Sequence, residues 1–258
     1  MTPALRTALP PVLVLVAVAL LTEAAKAANL LPITIPAPSQ VIAVIPQQFA
    51  DLVYHGSGTL LSAVLGYLCA GVVAGALASI ALRFHITERP IVSFGLLVDC
   101  FPLIALAPIF VIWLGQGVLL HVVLAGIASF FPLLLGTVKG FKATDENTRQ
   151  LFHVMAASPR QRLRLLSVPA ALPYIFQAMK IAAPLAILGA LIAEWIGAER
   201  GLGAMMIYAL FSFNVPLVWL TILTVCALSA LAYGLIAFAE SRVITWDADG
   251  VTDGGADG

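Results

Sequence analysis

Residues 118–138 read VLLHVVLAGIASFFPLLLGTV, 21 consecutive positions without Asp, Glu, Lys or Arg. At 1.5 Å rise per residue, about 20 apolar positions match a bilayer hydrocarbon core about 30 Å thick. The run shows none of the strict alternation of a barrel strand, so it predicts a membrane-spanning helix. Working outward, similar runs occupy Ile91 to Leu114 and Thr59 to Leu82 on one side, and Tyr174 to Gly197 and Pro216 to Ala239 on the other. A sixth lies near the N-terminus, from Leu9 to about Ala28. The reading is an all-α, polytopic membrane protein of about six transmembrane helices. Composition agrees: 61% of the 258 residues are hydrophobic and only 10% charged, with mean hydropathy +1.04. Soluble globular chains carry roughly 25% charged residues, so a soluble fold is excluded.

The first run has a second reading as a signal peptide, with Arg6 before Leu13–Leu21 and Ala25-Lys26-Ala27 as the cleavage site. Its length favours a retained helix. From Leu30 to Gly58, Pro32, Pro36, Pro38 and Pro46 predict an interrupted, extramembrane connector. Cys69, Cys100 and Cys226 lie inside apolar runs without ligand spacing and read as small core hydrophobes.

The 13 Lys+Arg cancel the 13 Asp+Glu, so no global excess points to nucleic acid. Their order matters more. With a cytoplasmic N-terminus, Arg6, Arg83, Arg89, Lys139, Lys142, Arg149, Arg160, Arg162, Arg164 and Arg242 all fall inside, against Lys26 and Arg200 outside. The positive-inside rule therefore predicts both termini in the cytoplasm. Residues 1–240 form the membrane unit, and the Gly- and Asp-rich 241–258 read as a disordered cytoplasmic tail.

The segment 139–172 is the long cytoplasmic one, and Lys139, Lys142, Arg149, Arg160, Arg162 and Arg164 lie in it. Asp145 to Ala157 (DENTRQLFHVMAA) predicts a helix with an acidic N-cap; Ser158-Pro159 ends it. A second basic amphipathic piece, Arg160 to Leu166, is expected to close at Pro169 and Pro173. Two short helices at the membrane face would offer Leu151, Phe152 and Met155 to a groove on a cytosolic partner.

Ionisable groups at membrane depth are costly and become functional candidates. These are Asp99, His121, Lys180 and Glu194. Asp99 precedes Pro102 and Pro108, which should kink their helix and free carbonyls toward a cavity. Glu194, near the outer end of its span, has Arg200 as an expected partner; Lys180 is expected to snorkel and His121 to sit at the interface. Gly66, Gly71 and Gly75, with Ala70 and Ala74, permit close helix packing. No paired Asp, Ser–His or H-E-x-x-H arrangement lies at membrane depth, which argues against an intramembrane enzyme. No GxxxxGK[ST] phosphate loop occurs either.

The ordered motifs Pro169-Ala170-Ala171-Leu172-Pro173-Tyr174-Ile175, Ala193-Glu194 and Gly197-Ala198-Glu199-Arg200-Gly201-Leu202-Gly203 resemble the permease subunits of ATP-binding-cassette importers, in particular the nitrate, sulfonate and taurine group. Pro36-Ala37-Pro38-Ser39, the pattern Pro102, Ala105, Pro108, Trp113, Gly115, and Phe131-Pro132 extend the likeness over nearly the whole chain. The resemblance implies a type I importer permease fold in a bacterial inner membrane. Besides the lipid bilayer that surrounds the chain, it implies three partners: a separate ATPase subunit, an extracytoplasmic substrate-binding protein and a second permease copy, favouring a homodimer. No catalytic residue, cofactor or metal is implied. The coupling motif, "EAA, three residues, G", falls on Gln150, Leu151, Phe152 and Ala156, followed by Ser158, Pro159 and Arg160, so its Glu, both Ala and its Gly are replaced. These residues with Met155 are the ATPase-coupling candidates, and Asp99, Pro102, Pro108 and Glu194 the translocation-path candidates. A nitrate-, sulfonate- or taurine-like anion is the favoured solute; a pyrimidine, thiamine-precursor or other vitamin-like solute is the alternative, and an ATPase-independent carrier a third reading.

Overall fold

A computed structural model describes residues 3–246, which fold into ten α-helices. They are α1 Pro3–Ala27, α2 Pro38–Arg83, α3 Glu88–Cys100, α4 Leu103–Leu114, α5 Val118–Lys142, α6 Glu146–Val154, α7 Pro159–Arg162, α8 Val168–Glu194, α9 Leu202–Phe211 and α10 Val215–Val243. A 3-10 turn, His85–Thr87, precedes α3, and a π-helical turn, Leu163–Ser167, joins α7 to α8. Among the described residues four helices are long and apolar enough to cross a bilayer, or five if α3 and α4 count as one broken span. The 25-residue α1 is a further helix at the expected first span. α10 runs to Val243, and the tail beyond residue 246 lies outside the described residues.

Three sequence expectations change. The connector of residues 30–58 is helical from Pro38 onward and continuous with the following span, giving one 46-residue helix with Pro46 inside it. Pro38 stands at the start, where a missing N–H costs nothing, and the Gln40 amide oxygen accepts the Ala37 N–H at 3.0 Å. The gap that Pro46 leaves is tolerated because this end of α2 is held from outside: Val41 packs with Met205, Ala209, Leu217 and Leu220. Glu23 of α1 also accepts the Ser39 hydroxyl at 2.6 Å and the Ser39 N–H at 3.1 Å, placing a carboxylate at the first turn of α2.

The expected span Ile91–Leu114 is instead two helices bent by 92°. Pro102 disfavours helical geometry at the residue before it, and Phe101 is extended (φ −70°, ψ 128°). The basic piece of residues 160–166 does not close before the next span: residues Arg160 to Glu194 form one helix of 35 residues. Pro169 is accommodated inside it by the π-helical turn Leu163–Ser167 just before, which alters the hydrogen-bond ladder where the proline lacks an N–H.

α5 and α8 form the closest pair at the centre, because glycine lets their backbones approach. A Cβ on Gly189 would lie 2.6 Å from the Leu124 carbonyl oxygen, and one on Gly140 would lie 2.8 Å from that of Ala171. One on Gly136 would collide with Ala178. In a membrane, where lipid tails are as apolar as leucine, such close packing supplies much of the association energy. α2 crosses α5 in the same way at Gly66, and Ala70 and Ala74 join a buried cluster with Phe130, Leu133 and Ala182. Gly71 and Gly75 face open space. The three cysteines are exposed on outer helix faces rather than in the core, as expected where lipid replaces water as the solvent.

Candidate functional site

The segment between α5 and α8 is built by local capping. The Asp145 carboxylate accepts the Thr148 N–H at 3.3 Å and starts α6. At the other end, Ala156 N–H bonds the His153 carbonyl (3.0 Å) and Ala157 N–H that of Phe152 (3.1 Å), the two-bond closure that needs a left-handed residue between. That residue is Ala156, with φ +52°. The motif position that glycine would fill is thus a left-handed cap, and alanine holds it under strain. α7 opens with reciprocal bonds: Ser158 N–H to Gln161 Oε1 (2.8 Å) and Gln161 N–H to Ser158 Oγ (3.3 Å).

Of the coupling candidates, Leu151 (56%) and Met155 (68%) are exposed and, with Val154 (85%), form an apolar ridge at helical spacing. Phe152 is half-buried and stands apart from that ridge; Gln150, Ala156, Ser158 and Arg160 are exposed, and Pro159 begins α7. Val154 belongs to the exposed set in place of Phe152. The sequence signal was available, since residues 151, 154 and 155 share one helix face.

At the opposite end of α8 sits Glu194, only 1% exposed. Its Oε2 accepts the Gly203 N–H at 2.8 Å and the Thr59 hydroxyl at 3.0 Å. Thr59 in turn accepts the Leu202 N–H at 2.8 Å. A carboxylate on α8 and a hydroxyl on α2 therefore cap the first turn of α9. The glycine motif follows from this geometry. Gly201 (φ +140°) lies so close that any Cβ would coincide with the Glu194 carboxyl group, and a Cβ on Gly203 would stand 2.8 Å from Glu194 Cβ. Oε1 of Glu194 is buried without a hydrogen-bond partner. Thr59, the central member of this network, carried no signal in the sequence beyond opening an apolar run.

Two expected partnerships change. Arg200 does not reach Glu194; it donates to the Tyr54 carbonyl (3.1 Å) and Ser57 Oγ (2.8 Å) while its guanidinium lies 4.4 Å from the Tyr54 ring. Lys180 does not snorkel but pairs with Glu240 of α10 at 2.5 Å, both side chains largely buried. Asp99, Pro102 and Pro108 are exposed around the α3–α4 bend and are not brought to Glu194. Their neighbour Ala107 is buried against Ala193, Leu120 and Leu124, with Leu103, Phe110 and Val111 of α4 packed onto the same cluster. His121 is buried and lines a cavity of about 420 Å³ with Ser62, Gln116 and Arg200. Among the described residues no group of His, Cys, Asp or Glu is arranged to hold a metal.

The geometry is that of a helical bundle with glycine-tight spans, a capped segment running into a span, and a short apolar helix at its far end. The chain belongs to the family of binding-protein-dependent transport system inner membrane components, whose model matches residues 68–245. It is 32% identical over 217 residues to the formylaminopyrimidine transport permease protein ThiX of Halalkalibacterium halodurans, covering 83% of this chain and 86% of that protein. It is 31% identical to the taurine transport system permease protein TauC of Escherichia coli, over 68% of this chain and 66% of that one. To the putative aliphatic sulfonates transport permease protein SsuC of Bacillus subtilis it is 24% identical, over 76% and 71%. In fold it is similar to the inward-facing MetNI methionine ABC transporter, with TM-score 0.51 and 19% identity over 73% of this chain and 90% of that one. The fold is therefore that of a type I importer permease, and the chain is a membrane-spanning ABC transporter permease.

Proposed function

We propose that the chain forms the translocation path of an ATP-driven importer of a small solute, with ATP hydrolysis in a separate subunit and delivery by an extracytoplasmic binding protein. Two copies of the chain pair across the path. The observation that carries this reading is the continuous helix from Arg160 to Glu194, about 50 Å long at 1.5 Å per residue. The docking ridge Leu151, Val154 and Met155 lies just before its cytoplasmic end. The carboxylate that holds α9 lies at its outer end. Closure of the ATPases moves the coupling segment as a rigid body, and α8 carries that displacement to Glu194, shifting the path between two packed states. In this arrangement both termini face the cytoplasm, Asp99 and the α3–α4 bend border the path, and Gln150, Ser158 and Arg160 frame the ridge on the docking face.

For the solute, the broader match to a pyrimidine permease supports a pyrimidine-like compound ahead of a sulfonate- or taurine-like anion. The ionic groups near the path agree: Lys180 is committed to Glu240, and Arg200 to Tyr54 and Ser57. Co-purification of the tagged chain from its native membrane tests the reading. An ABC ATPase is expected in the complex and is expected to be lost on Leu151→Asp with Met155→Asp. An intact chain that retains uptake without any ATPase makes it an independent carrier instead.

A further inference from the structure

At the far end of α8 from the coupling segment lies a second cavity, of about 400 Å³, within the size range of small-molecule sites. Gln48, Asp51 and His55 present one face of α2 to it, at helical spacing of three and four. Tyr208 and Met205 of α9 stand opposite, and Glu199 of the glycine-rich loop lines it as well. His55 Nδ1 accepts the Gly201 N–H at 3.1 Å. An imidazole that accepts through Nδ1 carries its proton on Nε2, so the ring brings a donor to the cavity it lines. Asp51 and Glu199 bring acceptors, Gln48 both kinds of group, and Tyr208 an aromatic ring that is 71% exposed. Among the described residues no Lys or Arg lines this cavity, and no ion pair engages either carboxylate. The neighbouring Arg200 is held away by Tyr54 and Ser57.

We propose that this cavity is an entry site for a small, neutral or cationic, amino-substituted heteroaromatic solute. The ring stacks on Tyr208, its amino hydrogens go to Asp51 and Glu199, and a ring nitrogen accepts from His55 Nε2. A sulfonate or other small anion meets two carboxylates and no cation, and is repelled. The proposal rests on the import reading and narrows its solute.

The test uses the full chain in lipid nanodiscs, with 4-aminopyrimidine and methanesulfonate as probes and saturation-transfer NMR as readout. 4-Aminopyrimidine is expected to bind, and Asp51→Asn with Glu199→Gln to weaken it about tenfold or more, since both hydrogen bonds keep an acceptor but lose their charge assistance. Tyr208→Ala, at an exposed position whose loss leaves packing intact, is expected to weaken it several-fold as well. Methanesulfonate is expected to give no signal. Absence of 4-aminopyrimidine binding, equal binding of methanesulfonate, or wild-type binding by both variants overturns the site. Association with the ATPase, scored on the same preparations, separates the two ideas: a retained ATPase with no probe binding removes the site and leaves the import reading, whereas a missing ATPase removes that reading itself.

Discussion

At the scale of single residues, the burial of Glu194 makes its partners interdependent. Glu194→Ala strips the Gly203 N–H and the Thr59 hydroxyl of their acceptor in a dry site, at an expected cost of about 2–4 kcal/mol. Glu194→Gln keeps an acceptor there and is expected to cost about 1 kcal/mol or less. Thermal unfolding of the purified chain distinguishes them; equal midpoints for both variants would mean the network contributes nothing. Gly201→Ala should be worse than either, since the new Cβ falls on the carboxyl group and φ is +140°. Gly56→Ala, with open space around it, is the matched control and should be near neutral. Ala156 supplies the opposite case. Its φ of +52° suits glycine, so Ala156→Gly is expected to stabilise the end of α6 by about 1 kcal/mol. Slower hydrogen exchange at the Ala157 and Met155 amides would report it, and unchanged exchange would place the strain elsewhere. The motif Gly197–Gly203 was legible as a pattern in the sequence, but its reason was not: it took the fold to bring Glu194 onto Gly201 and Thr59 of a distant helix onto Leu202.

Between elements, the exposed ridge of α6 and the Lys180–Glu240 pair carry the sharpest expectations. Leu151→Asp and Met155→Asp put charge on the exposed ridge and should abolish ATPase association while leaving the midpoint of unfolding within a degree or two. Phe152→Asp strikes a half-buried side chain and should lower the midpoint as well. Lys180→Met alone leaves Glu240 with an unpaired, mostly buried charge, and the same holds in reverse. Each single variant is therefore expected to be less stable than Lys180→Met with Glu240→Leu, which removes both charges together. A double variant as unstable as the sum of the singles would show that the pair is not coupled. Elements were the least legible scale. Helix existence followed from apolar length, but prolines were read as breaks in α2 and before α8, where outside packing or an adjoining π turn accommodated them. Pro102, read as a kink, gave a right-angle break. Local propensity cannot tell these cases apart, because the deciding term is what packs on the helix at that turn.

For the whole molecule, the exposed apolar surface is what a membrane and partner subunits must cover. α10 buries only Leu217, Leu220 and Thr221 within the chain, so most of its circumference faces outward. Chemical cross-linking in native membranes is expected to trap a dimer of the chain; a chain that stays monomeric while supporting uptake would contradict the paired path. By itself the sequence determined that this chain lives in lipid, that it is helical, and which family it belongs to. Those properties are sums over residues or ordered local motifs, and they survive without knowing any contact. Only the tertiary structure decided where Arg200 and Lys180 spend their charges, that one helix runs from Arg160 to Glu194, and that Gln48, Asp51 and His55 line one cavity with Tyr208. These are meetings between residues far apart in the chain, fixed by close helix packing at Gly66, Gly136 and Gly189, and packing of that kind leaves no mark in composition or periodicity.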